Sequence, residues 1–222
     1  MTTFRSALFL SLLSITLAAC SSSQPSSSSS ESSGSSERAA PAAPAPNPKV
    51  PAGAKSSGGK HATIQTDDGA IDIEFLEDAA PKAVENFRLL AEHGYYEGVT
   101  FHRVVKGFMI QGGDPTGTGA GGESAWGGSF ADEIAPRSDL YRAGYRRGIV
   151  AMANAGPDTN GSQFFIMHMD YDLSPNYVIF ARVTGGMSTV DRIAEAPTTT
   201  SPEGEHSKPV KSVAIRKVEI KP

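Results

Sequence analysis

The composition of the chain changes sharply near Lys60, and this change sets how much of the chain can form a folded core. Up to that residue the 222-residue sequence is either strongly apolar or dominated by Ser, Pro, Ala and Gly. The remainder is about 160 residues long, a size that buries about 70 % of the surface of the unfolded chain. We therefore expect one folded domain over residues 61–222.

The charges of the chain are mild and mixed. The formal net charge is −4, and no run or stripe of basic residues is present. Proteins that bind nucleic acid neutralise phosphates with such positive clusters. The sequence therefore gives no electrostatic support to a nucleic-acid partner.

The first 20 residues have the pattern of an export signal. Arg5 gives a positively charged start, and the apolar run over residues 7–18 is too short to cross a hydrocarbon core of about 30 Å. This pattern predicts a signal peptide over residues 1–19. Residues 17–20, Leu-Ala-Ala-Cys, resemble the bacterial lipobox. The resemblance implies cleavage before Cys20 and a lipid on this cysteine, and the alternative is a secretory signal that happens to end in cysteine.

Residues 20–60 are predicted to form a disordered linker behind the lipidated cysteine. Residues 21–36 are nearly all serine, and residues 39–51 are rich in Ala and Pro. Such segments cannot bury enough apolar surface to offset their ordering entropy. A flexible coil of about 40 residues spans about 35 Å on average. We therefore expect an extracytoplasmic protein anchored to a bacterial membrane through Cys20, on the periplasmic or the outer cell-surface side.

Periodicity predicts a mainly β domain with two helices. Alternating runs at residues 61–66 and 71–75 flank an Asp-Asp-Gly turn and predict a β-hairpin. Apolar residues at helical spacing predict a helix that starts near Pro81 and stops at Gly94, and a second helix over residues 187–196. The other strand-like runs are residues 101–105, 108–111, 148–153, 164–169, 177–183 and 210–218. Many short strands with two helices fit a β-barrel or a sandwich, and periodicity does not choose between them.

Two stretches are far more specific than this outline. Residues 101–115 read FHRVVKGFMIQGGDP, and residues 151–166 read AMANAGPDTNGSQFFI. Together they resemble the two signature segments of the cyclophilin family of peptidyl-prolyl cis-trans isomerases, and the resemblance covers the chain from about residue 61 to its end. It implies a closed eight-stranded antiparallel β-barrel capped by two α-helices, a substrate groove on the outer surface, and a monomer.

The implied activity needs no cofactor, metal or nucleophile. Rotation about an X–Pro bond crosses a barrier of about 20 kcal/mol that is set by amide resonance, and no bond is made or broken. The catalyst needs a hydrogen-bond donor for the proline nitrogen, which gains a lone pair as resonance is lost, and an apolar seat for the ring. Arg103 suits the first role because a guanidinium group presents several donors in a rigid plane. Gln111, eight residues on, is placed to orient it.

The apolar seat is predicted from side chains of both motifs and of the segment that follows them. Aromatic and thioether groups form a flat, adaptable and dry surface that suits a proline ring. We assign this role to Phe108, Met109 and Phe165, with Leu173 and Tyr177 completing the wall.

The family resemblance adds three substrate-binding residues. It implies that Asn154 holds the substrate backbone through main-chain groups, that Ala153 lines the groove, and that Gln163 contacts the substrate. We interpret His102 as structural, because no carboxylate or histidine stands at a ligand spacing from it. The glycine-rich run 117–122 is not followed by Lys-Ser or Lys-Thr, so we interpret it as a loop beside the groove and not as a phosphate loop.

The chain departs from well-known members of the family at the groove. The family's groove tryptophan aligns with Asp172 and its groove histidine with Tyr177. Tyrosine keeps an aromatic body and a polar tip, whereas aspartate removes an apolar contact worth about 1–3 kcal/mol. We therefore predict weak cyclosporin binding.

Two functions other than catalysis stay open. One is a membrane-tethered module that grips proline-containing polypeptides as a chaperone or envelope scaffold with little turnover, and the other is a structural lipoprotein that keeps only the fold. The presence of Arg103, Gln111 and Phe108 favours the enzyme, because binding alone needs no donor at the proline nitrogen. The expected substrates are X–Pro bonds in proteins that fold outside the cytoplasm.

Overall fold

The computed structural model describes residues 49–222, which contain ten β-strands and three α-helices. The strands are His61–Thr66 (β1), Gly69–Phe75 (β2), Arg103–Val105 (β3), Met109–Gly112 (β4), Ile149–Met152 (β5), Phe164–Met167 (β6), Ile179–Gly185 (β7), Thr198–Thr200 (β8), His206–Pro209 (β9) and Ile215–Lys221 (β10). The helices are Pro81–Glu92 (α1), Asp139–Ala143 (α2) and Met187–Ala194 (α3). The predicted signal peptide, Cys20 and the linker up to residue 48 lie outside the described residues.

Eight of the strands form one antiparallel sheet in the order β10-β1-β2-β7-β5-β6-β4-β3, and β8 and β9 form a separate two-stranded sheet. The edge strands β3 and β10 share no ladder. An isolated bridge between Thr100 and Ala214, with a hydrogen bond from the N–H of Phe101 to the oxygen of Val213, joins the segments that precede them. The sheet is therefore a half-barrel. The prediction of a closed barrel is wrong in this respect, because the pairing that would complete the ring stops after a single bridge.

The first hairpin and the first helix form where the sequence predicts them, although β2 starts two residues before the predicted run 71–75 and α1 ends at Glu92. β1 and β2 pair in continuous register from His61 opposite Glu74 to the turn. Pro81 stands in the first turn of α1, and Gly94, with φ of +72°, follows its end in the left-handed conformation that favours glycine. The predicted second helix is α3, which ends two residues earlier than expected.

A third helix, α2, is absent from the prediction of two helices. It has five residues, and the hydroxyl of Ser138 caps it by accepting a hydrogen bond from the N–H of Tyr141 at 3.4 Å. A helix this short presents hardly more than one turn, so it has no repeating apolar pattern to detect. Its start is marked only by the cap.

Because successive side chains of a strand point to opposite faces of the sheet, the apolar residues form two hydrophobic clusters, one on each face. On β6, Phe164 and Ile166 belong to the larger core, whereas Phe165 and Met167 belong to a smaller cluster. The larger core lies under α1, where the ring of Phe87 packs edge-to-face on that of Phe164 at 5.4 Å. The smaller cluster holds the apolar residues that the sequence assigns to the seat of a proline ring.

Residues 49–60, the last part of the predicted linker, contact the domain. The N–H of Ser57 donates to Glu92 at the end of α1 at 2.9 Å, and Val50 and Ala54 pack against the larger core. This last part of the predicted linker is therefore packed against the domain. No helix within residues 49–222 is long and apolar enough to cross a membrane.

Candidate functional site

The register of the sheet places residues of both motifs side by side. Arg103 on β3 lies opposite Gln111 on β4, and Gln111 lies opposite Phe165 on β6. Phe165 in turn lies opposite Ala151 on β5. Residues that are directly opposite in an antiparallel pair project from the same face of the sheet. Strand pairing alone therefore forms one row that carries a cation, an amide and an aromatic ring.

One cavity of about 140 Å³ joins nearly all of the predicted site residues. It is lined by Arg103, Phe108, Met109, Gln111, Ala153, Asn154, Phe165, Leu173 and Tyr177. Gln163 lies beside this cavity, where its Oε1 accepts a hydrogen bond from Nε2 of Gln111 at 2.9 Å. The structure thus brings together every predicted site residue among residues 49–222, and we call this space the site cavity.

The floor of the site cavity is formed by Met109 and Phe165, which are 1 % and 5 % exposed. The ring of Tyr177 meets that of Phe165 edge-to-face at 5.4 Å. The backbone of Tyr177 is fixed by the hydroxyl of Tyr145, which donates to its carbonyl at 2.8 Å and accepts from its N–H at 3.0 Å. The floor and one wall are therefore a rigid apolar seat.

Arg103 stands at the edge of this seat with its side chain 35 % exposed. Its Nη1 donates to Oε1 of Gln111 at 3.3 Å and lies 4.0 Å from the sulfur of Met109. The guanidinium carbon is 5.7 Å from the centre of the Phe108 ring. The structure therefore places a permanent cation with several N–H donors directly at the apolar seat.

A residue that the sequence reasoning missed holds the other edge of the guanidinium. Glu205, in the turn between β8 and β9, accepts hydrogen bonds from Nε and Nη2 of Arg103 at 2.6 and 2.8 Å. These bonds lower the pKa of the Glu205 carboxyl from its ordinary value, against an opposing effect of burial. The two residues are 102 positions apart, and no local pattern in the sequence links them.

The glycine-rich run is a loop beside the site cavity, as predicted. Nε2 of Gln163 donates to the carbonyls of Gly119 and Gly121 at 2.9 and 2.8 Å. Because Gln163 also accepts from Gln111, a chain of amide hydrogen bonds runs from this loop to the residue that contacts Arg103.

The same loop is folded around the buried carboxylate of Asp114. The carboxylate accepts hydrogen bonds from the N–H groups of Thr116, Gly119 and Gly121 at 2.8, 2.7 and 3.2 Å. Burial acts to raise the pKa of Asp114, but these hydrogen bonds together outweigh it, and the pKa is lowered from its ordinary value. The carboxylate is therefore charged at neutral pH and anchors the loop.

The side chain of Asn154 is engaged within the protein. Its Nδ2 donates to the carbonyl of Asn176 at 2.8 Å, and its Oδ1 accepts from the N–H of Gly156 at 3.2 Å. These bonds fix the strand-like segment that passes along the cavity. The arrangement suits the role implied for this residue, in which the main chain contacts the substrate.

Tyr171 is a second residue that the sequence reasoning did not single out. The residue is 48 % exposed, and its ring packs on that of Phe108 with a tilt of 40° and ring centres 4.4 Å apart. Its neighbour Asp172, at the position aligned with the family's groove tryptophan, is exposed. The signal that could have found Tyr171 is its place directly before that position.

His102 lines a neighbouring cavity together with Arg103 and Glu205, and its pKa is lowered, mainly by burial. Within residues 49–222, no three His, Cys, Asp or Glu side chains come together in a way that could hold a metal ion.

Comparisons with known proteins point to one family. The family model "Cyclophilin type peptidyl-prolyl cis-trans isomerase/CLD" matches residues 61–220. Peptidyl-prolyl cis-trans isomerase CYP65 of Arabidopsis thaliana is 48 % identical over 154 residues, which are 69 % of this chain and 25 % of that protein. This chain therefore spans about a quarter of the length of that relative. Peptidyl-prolyl cis-trans isomerase ppi1 of Schizosaccharomyces pombe is 49 % identical over 154 residues, 68 % of this chain and 97 % of that protein.

Solved structures give the same result. The chain resembles a crystal structure of a Cryptosporidium parvum cyclophilin type peptidyl-prolyl cis-trans isomerase, with a TM-score of 0.66 and 39 % identity over 74 % of this chain and 98 % of the other. A second crystal structure of that isomerase, obtained in the presence of the dipeptide Ala-Pro, matches with a TM-score of 0.66 and 40 % identity over 73 % of this chain and 99 % of the other.

Proposed function

This chain belongs to the cyclophilin-type family of peptidyl-prolyl cis-trans isomerases, and from that premise we propose that it accelerates the rotation of X–Pro bonds in polypeptides. The observation that carries the proposal is the site cavity, in which a guanidinium group and an apolar seat face the same space. The substrate is a proline-containing polypeptide, which agrees with the Ala-Pro dipeptide used with the Cryptosporidium relative.

The geometry supports catalysis by stabilisation of the twisted imide. As the X–Pro bond leaves planarity, its resonance is lost and the proline nitrogen regains a lone pair. A donor aimed at this nitrogen interacts more strongly with the twisted form than with either planar form, and only such differential binding raises the rate. We assign the donor to Nη1 of Arg103, which contacts two residues of the site cavity, Gln111 and Met109.

The apolar floor would hold the proline ring while the preceding carbonyl swings. Met109 and Phe165 are almost fully buried, and Tyr177 closes one wall. A proline ring that fills this cavity displaces water from the guanidinium, and the lower local dielectric strengthens the hydrogen bond to the nitrogen. The reaction needs no cofactor, because rotation moves neither electrons nor protons between groups.

The decisive experiment compares Arg103→Ala with Arg142→Ala in the isomerisation of a proline-containing tetrapeptide. Arg142 is a matched control because it is exposed and, among residues 49–222, forms an ion pair only with Asp139 on α2. Loss of a single oriented donor costs about 3 kcal/mol, so kcat/KM of Arg103→Ala should fall by roughly two to three decades. Arg142→Ala should retain the wild-type rate.

The same experiment separates the enzyme from a tethered binding module. Equal rates for wild type and Arg103→Ala would overturn the assignment of the donor to Arg103. If both rates also equal the uncatalysed rate while peptide binding is retained, the result favours a proline-binding chaperone or scaffold. Binding should be measured by titration calorimetry with the same tetrapeptide.

The place of action is a separate part of the proposal. We propose that the protein works outside the cytoplasm, tethered through lipidated Cys20, and the support is the apolar run and the lipobox-like residues 17–20. The relatives named above are eukaryotic and add no support to a bacterial lipoprotein. Incorporation of labelled palmitate into the full chain in a bacterial host, and its loss in Cys20→Ala, would test the anchor. A chain that stays unlabelled would contradict it.

A further inference from the structure

We propose that Glu205 is a positioning residue for isomerisation, whose carboxylate fixes the plane of the Arg103 guanidinium so that Nη1 is presented to the site cavity. The inference rests on the proposed function, because it concerns how the donor for the imide nitrogen is aimed. It adds to the site a residue that lies in neither motif.

The guanidinium of Arg103 donates hydrogen bonds to Glu205 along one edge and to Gln111 at the opposite corner. A guanidinium has five N–H donors. Glu205 takes one on Nε and one on Nη2, and Gln111 takes one on Nη1. Nη1 is the nitrogen that lies near the floor, 4.0 Å from the sulfur of Met109. The edge of the group that faces away from the floor is therefore held by a carboxylate. At the opposite corner the second N–H of Nη1 is engaged only by the sulfur of Met109, a weak acceptor that a substrate nitrogen can replace.

Glu205 stands on a turn that is itself well held. Its carbonyl accepts hydrogen bonds from the N–H groups of Ser201 and Ser207 at 2.7 and 3.0 Å. The N–H of Gly204 donates to Ser201 at 2.9 Å and closes the turn. The strand that follows, β9, packs beside β3, which carries Arg103. The carboxylate therefore reaches the guanidinium from a fixed position and not from a free loop.

A carboxylate on the catalytic cation could help the reaction or oppose it. It helps by removing rotamer freedom, since a donor that is already aimed needs no reorganisation when the imide twists. The carboxylate opposes the reaction by partly neutralising the positive charge of the guanidinium, which weakens its hydrogen bond to the imide nitrogen. The side chains of Arg103 and Glu205 are 35 % and 42 % exposed, so water screens the charge effect strongly. Water does not weaken the geometric constraint of two parallel hydrogen bonds in the same way. We therefore infer that the effect of Glu205 on the orientation of the guanidinium outweighs its effect on the charge.

The kinetic test compares Glu205→Gln with Glu203→Gln. Glu203 lies in the same turn and is exposed, and its carboxylate binds the hydroxyl of Ser201. Both variants remove one negative charge from the same turn, so the long-range electrostatic change is matched. The pair is partly exposed, so kcat of Glu205→Gln should fall roughly fivefold. KM should stay within about twofold, since Glu205 does not line the site cavity. Glu203→Gln should match wild type in both constants.

A spectroscopic readout tests the positioning independently of turnover. In wild type the Nε–H of Arg103 is bound to a carboxylate, so its NMR signal should be shifted downfield and protected from exchange with water. Glu205→Gln should lose this signal, and Glu203→Gln should keep it. Assignment uses Arg103→Lys, in which the signal is absent.

The outcomes are distinct. If kcat of Glu205→Gln equals or exceeds that of Glu203→Gln, the positioning role is wrong. If KM rises while kcat is unchanged, Glu205 contacts substrate and the inference is wrong as well. Both results leave the proposed function standing when Arg103→Ala is inactive. If Arg103→Ala is as active as wild type, Arg103 is not the donor, and the positioning role of Glu205 fails with it. If wild type itself does not exceed the uncatalysed rate, the proposed function fails, and the Nε–H signal alone then decides whether Glu205 orders Arg103.

Discussion

The floor of the site cavity and its rim differ in how their side chains are held. The floor residues Met109 and Phe165 lie on neighbouring paired strands, inside the two motifs, and are almost fully buried. The rim, by which we mean Tyr171, Asp172 and Glu205, comes from segments outside the motifs and is largely exposed. The ring of Tyr171 rests on a single aromatic neighbour, and the carboxylate of Glu205 rests on a single cation at the site.

Because of this difference, substitutions at the floor and at the rim should change different quantities, the free energy of unfolding at the floor and turnover or ligand affinity at the rim. A buried floor residue stabilises the sheet and also forms part of the site, so its replacement should affect both stability and the site. A rim residue contributes little to stability, and its effect falls on turnover or on the affinity for a ligand. Substitutions at the two places should therefore give different signatures, and three experiments follow from this expectation.

The largest effect is expected from Phe165→Ala on the floor. Deletion of a buried aromatic ring leaves a cavity, so the free energy of unfolding should fall by about 3–5 kcal/mol. Tyr171→Ala, the matched change at the rim, should cost less than about 1.5 kcal/mol because it removes one exposed ring contact. Urea unfolding followed by circular dichroism measures both. Similar losses for the two variants would abolish the distinction between floor and rim.

An intermediate effect is expected from Asp114→Asn, which lies where the first motif passes into the glycine-rich loop. Hydrogen bonds to a charged group are worth about 1.5–3 kcal/mol, so the free energy of unfolding at pH 7 should fall by about that amount. Asp139→Asn, at a fully exposed carboxylate on α2, is the control and should change little.

The pH dependence sharpens this prediction. The pKa of Asp114 is lowered in the folded protein, from about 3.9 in an unfolded chain. Its contribution to stability is therefore complete above the unfolded pKa and is lost as the pH falls through the lower folded pKa. The difference between wild type and Asp114→Asn should be full at pH 7 and should shrink as the pH falls below about 4. A difference that is constant with pH would show that the charge of Asp114 does not anchor the loop.

The smallest effect is expected at the rim, from Asp172→Trp. We predict that wild type binds cyclosporin weakly, because aspartate offers no apolar contact at this exposed position. A tryptophan there should tighten binding roughly tenfold, within the range of about 1–3 kcal/mol for a regained apolar side chain. Asp139→Trp is the control for a nonspecific gain of apolar surface. Titration calorimetry would contradict the prediction if wild type already bound as tightly as well-known family members.

The elements that the sequence predicted are those with a strong local pattern. β1 and β2 alternate cleanly around an Asp-Asp-Gly turn, and α1 has helical spacing between Pro81 and Gly94. Most residues of the site cavity were predicted from two motifs, and Leu173 and Tyr177 from the segment that follows them. The side chains of the motifs meet because β3, β4, β5 and β6 are neighbours in the sheet. Pairing over long distances was supplied by the family resemblance and not by periodicity.

The parts that were missed lack such a pattern. β8 reads Thr-Thr-Thr and β9 reads His-Ser-Lys-Pro, and neither shows apolar alternation. The ion pair between Glu205 and Arg103 depends on that hairpin, so it could not be predicted without it. The closed barrel was wrong for a different reason, because whether two edge strands complete a ladder depends on a few hydrogen bonds that the sequence does not specify.

The row formed by Arg103, Gln111 and Phe165 has a consequence for how the site forms during folding. Each member comes from a different strand, and side chains alternate between faces with a period of two. A slip of β4 by one residue would turn Gln111 toward the core and bring Ile110 to the outer face. A slipped form would therefore separate Gln111 from Arg103 and Phe165. Recovery of the proposed isomerase activity after denaturation should therefore coincide with correct strand registration.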